Sequence, residues 1–198
     1  MKPIRYIFVF TCLILFIFNQ SVLANSPNFQ VVPSRFELKV NPRGRIIRSL
    51  KITNFGKETL SLVANTRDWN MGEDGELILK KPGSLKRSAS RWIRFNPKSF
   101  IVKPDQKQTI RFSVSAPPKI DPGEYRTSIV LETQDKYELN KGQYYKAVYA
   151  ILVYINIPDV RRLCKMKNIE IKKNDQGKYI VSGGLYSKGN AHVRIVGE

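Results

Sequence analysis

The sequence predicts an all-β sandwich, and three observations carry that expectation. Apolar and polar residues alternate with period two from position 31 to 157, the pattern of half-buried strands. Turn-forming clusters interrupt the alternation at short intervals: "NPRG" at 41–44, "NFGKE" at 54–58, "NMGEDGE" at 70–76, "KPDQK" at 103–107 and "APPKIDPGE" at 116–124. No segment of this region carries a helical stripe. Seven or eight short strands over ~130 residues suit two packed sheets.

The elements follow in order. The chain opens MKPIRYIFVFTCLILFIFNQSVLA, with Lys2 and Arg5 ahead of an apolar run at 7–18 and Val22-Leu23-Ala24 behind it. That is the pattern of a cleavable signal peptide over residues 1–24. The run is short beside the ~20 apolar residues that cross a bilayer. Residues 25–158 are expected to form the first β domain. Its strands are expected at 30–40, 46–54, 60–69, 76–79, 100–103, 108–115, 124–132 and 144–157. Ile46, Leu50 and Ile52 share one expected inward face, as do Leu60 with Leu62, then Ile110, Phe112 and Val114, and then Tyr125, Ile129 and Leu131. Ile157-Pro158-Asp159 ends the last strand, because proline cannot donate to a ladder. Residues 159–198 then supply three strands' worth of pattern, "NIEIKK", "KYIVSGGLYS" and "NAHVRIVGE". This is a partial second β domain, too small to close alone; the expectation is a truncated version of a longer protein, with packing as an appendage on the first domain as the alternative.

Composition narrows the function classes. The formal charge is +18, and loss of Lys2 and Arg5 with the leader makes it +16. An exported chain with its basic residues scattered along strands and loops is not expected to bind nucleic acid. A basic face for an acidic partner, attraction to an anionic surface and plain solubility remain as readings of the charge. Without Cys12 of the leader only Cys164 is left, so no internal disulfide is expected. Cys164 in "VRRLCKM" reads as a buried thiol, with pairing between chains as the alternative. The one histidine, His192, gives no triad and no zinc spacing. The acidic turn "GEDGE" at 72–76 lacks the ligand register of a calcium loop, and no phosphate-binding glycine loop is present. The expectation is a protein without catalysis, metal or cofactor. A secreted hydrolase would need a nucleophile pair that the sequence does not offer.

Three features stand out. Arg35 lies in a first strand with apolar neighbours, "VVPSRFELKV", where a charge needs a partner or an outward direction. The strand "YYKAVYAILVYINIP" is apolar on both faces: Tyr145, Ala147, Tyr149, Ile151, Val153 and Ile155 on one, Tyr144, Val148, Ala150, Leu152 and Tyr154 on the other, interrupted by Lys146. It is either a central strand covered on both faces or one that offers an edge to a partner. The polar stretch "QDKYELNKGQ" at 134–143 is either a loop that orders on binding or an ordinary hairpin connection.

These pieces in their order resemble the periplasmic pilus (fimbrial) chaperone family. They are Arg35, "SLKITNFGKETLSLVANTRDW" at 49–69, "RWIRFNPKSFIVKPDQKQTIRFSV" at 91–114, "PGEYRTSIVLET" at 122–133 and the last strand ending in Ile157-Pro158. "GLYSKGNAHVRIVGE" resembles the early part of that family's second domain. The resemblance implies an immunoglobulin-like β-sandwich, a periplasmic location, an exported pilin-like subunit as partner and an outer-membrane usher as a further one. It implies binding by donor-strand complementation, in which the seventh strand completes an unfinished subunit. In that family a first-strand arginine and a seventh-strand lysine anchor the subunit's C-terminal carboxylate. Arg35 matches the first, whereas Leu152 or Val153 stands where the lysine belongs and Lys146 lies well upstream. The chain would therefore be a divergent, non-fimbrial or truncated relative. The partner-binding residues expected are Arg35, Tyr144, Lys146, Val148 and Ala150, with Tyr145, Ala147 and Tyr149 as the alternative donor register. A structural or adhesive immunoglobulin-like module of the envelope is the competing reading.

Overall fold

A computed structural model describes residues 27–72, 74–140 and 143–194, with the backbone alone at 137–140 and 143–145. The expected signal peptide, Glu73 of the acidic turn and residues 195–198 lie outside the described residues. The strands are β1 (Phe29–Val32), β2 (Arg35–Lys39), β3 (Arg45–Asn54), β4 (Leu60–Met71), β5 (Leu77–Lys80), β6 (Ile93–Asn96), β7 (Ser99–Val102), β8 (Lys107–Ser115), β9 (Gly123–Thr133), β10 (Tyr137–Asn140), β11 (Gln143–Tyr145), β12 (Val148–Ile157), β13 (Cys164–Lys173) and β14 (Tyr179–Ser187). A single 3₁₀ turn, Ser90–Trp92, is the one helical element among the described residues.

The chain is all-β, and its main part is an immunoglobulin-like sandwich of two sheets. One sheet runs β1-β3-β8-β6, and the other runs β2-β12-β9-β4-β5, with β7 also on β4. Alternation puts Leu50, Ile52, Leu60, Leu62, Ile110, Phe112, Val114, Ile129, Leu131, Ile151, Val153 and Ile155 into one core between them. Phe36 meets Phe112 edge-on there, with centroids 5.0 Å apart.

Three boundaries differ from the sequence expectation, each for a local reason. The single strand expected at 30–40 is two. Pro33 has no N–H for a ladder, and the chain changes sheets there: β1 pairs with β3, while β2 runs parallel to β12. The strand expected at 144–157 also divides. Ala147 N–H donates to the Thr133 side-chain oxygen at 3.0 Å in place of a backbone carbonyl, and the β9 ladder stops there. Tyr144 therefore belongs to β11, paired with β10, and Lys146 stands in the break. The polar stretch at 134–143 thus contributes to a hairpin. Its residues Lys136–Tyr145 fall in a compact unit distinct from Pro27–Asp135 with Lys146–Glu198. Finally, β6, which pairs with β8, was not expected at all.

The C-terminal pattern yields two strands among the described residues. β13 and β14 pair only with each other, and every residue of β13 is exposed. Cys164, expected to be buried, is exposed as the first residue of β13, because among the described residues no second layer covers this hairpin. The third expected strand is absent at 190–194, and the chain returns instead to the sandwich. There Glu124 N–H donates to the Asn190 carbonyl at 2.9 Å and Asn190 N–H to the Arg161 carbonyl at 3.0 Å. Gly189 makes this approach possible: a Cβ there would lie 1.9 Å from the Arg161 carbonyl oxygen.

Candidate functional site: an open edge beside Arg35

The two sides of β12 differ. Along β9 it is paired throughout, from Val148↔Glu132 to Ile157↔Gly123. On its other side β2 covers only the second half, from Leu152↔Arg35 to Asn156↔Lys39. Among the described residues no strand pairs with 148–151 on that side.

The ladder geometry fixes which groups this open stretch presents. Thr133 N–H donates to the Ala147 carbonyl at 3.0 Å, so residue 147 turns its polar groups toward β9. In an antiparallel ladder alternate residues share a direction, so 149 and 151 also face β9, while 148, 150 and 152 face away. The far end of the strand agrees, since the Asn156 carbonyl accepts from Val40 N–H at 3.1 Å, on the β2 side. Val148 and Ala150 therefore direct both N–H and C=O at the open edge. Their side chains lie on the outer face of the sheet, where Val148 is 51% exposed, while Ile151 enters the core. From Val153 to Ile157 the strand is buried on both faces.

Arg35 stands where the open stretch meets β2. It shares the outer face with Leu152 and Tyr154, and its guanidinium carbon lies 4.3 Å from the centre of the Tyr154 ring. Tyr154 in turn meets Trp69 edge-on at 5.6 Å, and Arg126 lies over Trp69 at 4.9 Å. Arg35 Nη2 contacts the exposed Glu37 carboxylate and lies 3.0 Å from His192 Nε2. Arg35 Nε is buried with no hydrogen-bond partner among the described residues, as is Asn156 Oδ1.

His192 completes the cluster from the returning tail. Its ring stacks on Tyr154 with centroids 4.4 Å apart, and Nδ1 lies 2.6 Å from Glu124 Oε2. Arginine can only donate, so Nε2 must accept from Arg35, and the ring proton sits on Nδ1 directed at Glu124. Glu124 is buried and also meets Arg162 Nη2 at 3.6 Å. Burial pushes the Tyr154 phenol above its ordinary value; the Arg35 charge opposes that and Glu124 adds to it. An open cavity of about 540 Å³, lined in part by Arg87, Asp121, Glu124 and Arg126, reaches His192 from solvent.

Of the residues expected from sequence, Arg35, Val148 and Ala150 meet at one edge, whereas Tyr144 and Lys146 lie outside the β12 ladder. Sequence reasoning set His192 aside as a site and did not weigh Glu124 or Tyr154 as one. His192 is 157 positions from Arg35, and no local motif links the two.

No family model matches the chain, and no curated protein matches it in sequence. Among solved structures it is similar to the CsuC–CsuE chaperone–tip adhesion subunit complex of Acinetobacter baumannii archaic chaperone-usher pili, at 13% identity. That match covers 82% of this chain and 73% of the other, with a TM-score of 0.49. It is also similar to the E. coli chaperone DraB, at 12% identity over 85% and 88% of the two chains with a TM-score of 0.48. A third is the class 5 fimbriae chaperone CfaA, at 15% identity over 82% and 68% with a TM-score of 0.47. Among the described residues no helix is long and apolar enough to cross a membrane.

Proposed function

We propose that this protein is a strand-donating chaperone of the cell envelope, exported by its N-terminal leader, that holds a pilin-like subunit in the periplasm. One observation carries the reading: the unpaired half of β12 runs directly into Arg35. A strand added beside Val148 and Ala150 would be collinear with β2 and would have to stop where β2 begins. If that strand ran parallel to β12, its C-terminus would arrive at the guanidinium. The buried Nε without an acceptor supports a carboxylate there, since an unmade bond to a buried donor costs ~1–3 kcal/mol. Glu37 shows that a carboxylate fits against Nη2.

The test is a periplasmic pull-down with the mature protein, its Arg35→Ala variant and its Ala150→Pro variant, with mass spectrometry of what is retained. Proline at 150 removes only an N–H that faces the open edge, a position where strands tolerate it. Wild type should retain a small β-rich exported protein that Ala150→Pro releases. Arg35→Ala should weaken the complex by about 2–5 kcal/mol, the usual cost of truncating one partner of a desolvated charge pair. Retention undiminished in both folded variants would sink the proposal and leave the structural or adhesive module.

A further inference from the structure

We infer that His192 is the second cation of the carboxylate site, and that it takes up a proton as the carboxylate binds. This rests on the reading of Arg35 as an anion anchor. In the free protein the Nε2 lone pair faces Arg35 Nη2 at 3.0 Å, and the ring proton faces Glu124 at 2.6 Å. A protonated Nε2 would set N–H against N–H and bring two like charges together. An entering carboxylate reverses that preference, because Nη2–H of Arg35 and Nε2–H of an imidazolium can then both donate to it. Charge-assisted bonds of that kind are roughly twice as strong as neutral ones.

The surroundings are arranged for this exchange. Arg35 contacts the ring from β2, Glu124 from β9 and Tyr154 from β12; Lys86, Arg87, Asp121 and Arg126 line the cavity it shares, Glu37 and Arg162 pair with Arg35 and Glu124, and Arg194 acts on Tyr154 from the terminal segment. Cations outnumber carboxylates around the ring, so a further positive charge calls for a further negative one. Glu124 stays on Nδ1 throughout and holds the ring in place. The Tyr154 face beneath it favours a cation.

The chain's single histidine makes this directly observable. The ring Cε1–H resonance of the mature protein would be followed by NMR at one fixed, mildly acidic pH. Sodium acetate would replace sodium chloride at constant ionic strength, with acetamide as the uncharged control. Acetate should move the resonance saturably toward the imidazolium position, and acetamide should leave it in place. The movement should vanish in Arg35→Ala and in Arg35→Gln, the second variant retaining more of the packing over Tyr154. A resonance indifferent to acetate overturns the inference, as does equal movement in a folded Arg35 variant. The two readings fail separately. A client released by Arg35→Ala while the histidine ignores acetate leaves the anchor standing and removes His192 from it. A client indifferent to Arg35→Ala removes the chaperone reading, whatever the histidine does.

Discussion

β8 and the β13–β14 hairpin are written in the same pattern and end in opposite environments. Ile110, Phe112 and Val114 alternate with polar residues and are fully buried. Met166 and Ile171 on β13, paired with Leu185 and Val181 on β14, make an equally apolar face, and all four are exposed. The opposite face carries Lys165, Lys167 and Lys172, with Tyr186 and Ile180 across from the first and the last. What differs is a facing layer, which β8 has and the hairpin lacks among the described residues. Alternation specifies a strand and its apolar side; burial requires a second sheet.

That contrast can be tested by substitution. The largest effect should come from Phe112→Ala, which empties the centre of the core beside Phe36 and should cost about 3–5 kcal/mol in a denaturant titration. A loss below 1 kcal/mol would mean that the two sheets do not share one packed interior.

Asp68→Asn should rank second. Asp68 is buried and accepts from Leu85 N–H at 2.9 Å, from Ser88 Oγ at 2.6 Å and from Ser90 Oγ, fixing the β5-to-β6 connection to the sheet. Burial works to raise its carboxyl, yet these bonds outweigh it and hold the group below its ordinary value of 3.8. Since the folded value is depressed, the stabilisation is complete above the unfolded value and fades as pH falls through the folded one. The substitution should cost roughly 1.5–3 kcal/mol at neutral pH, as for bonds to a charged acceptor. It should also flatten the acid limb of stability below pH 3.8; an unchanged limb would exclude Asp68 as its source. The smallest effect should be that of Ile171→Ala, within ~0.5 kcal/mol, as is usual for exposed positions. A larger loss would show that this face is covered in solution.

Much of the sandwich was legible because its strands obey period two and its turns are marked by Gly, Pro, Asn and Asp. The failures share a cause. β6 carries only Ile93 and Phe95 as its alternating pair and lies between Trp92 and Pro97, so the period is too short to read. The break at Lys146 has no breaker residue and depends on the Thr133 hydroxyl across the ladder. Arg35 was visible as a charge among apolar neighbours. Its partners were not, because His192, Glu124 and Tyr154 arrive from three distant segments, and pairing of that kind leaves no mark in local sequence.

The half-length of the open edge has a consequence for dwell time. Val148 and Ala150 together offer two donors and two acceptors, and at ~0.5–1.5 kcal/mol net per backbone bond these supply about 2–6 kcal/mol. A micromolar complex needs about 8 kcal/mol. Backbone pairing at this edge is therefore a brief grip that any extended chain can make and leave. Long residence must come from what the visitor adds, an apolar side chain fitted beside Val148 or an end that reaches Arg35. A partner strand held as proposed, at an edge cut short by β2, would thus be sorted by how soon it lets go.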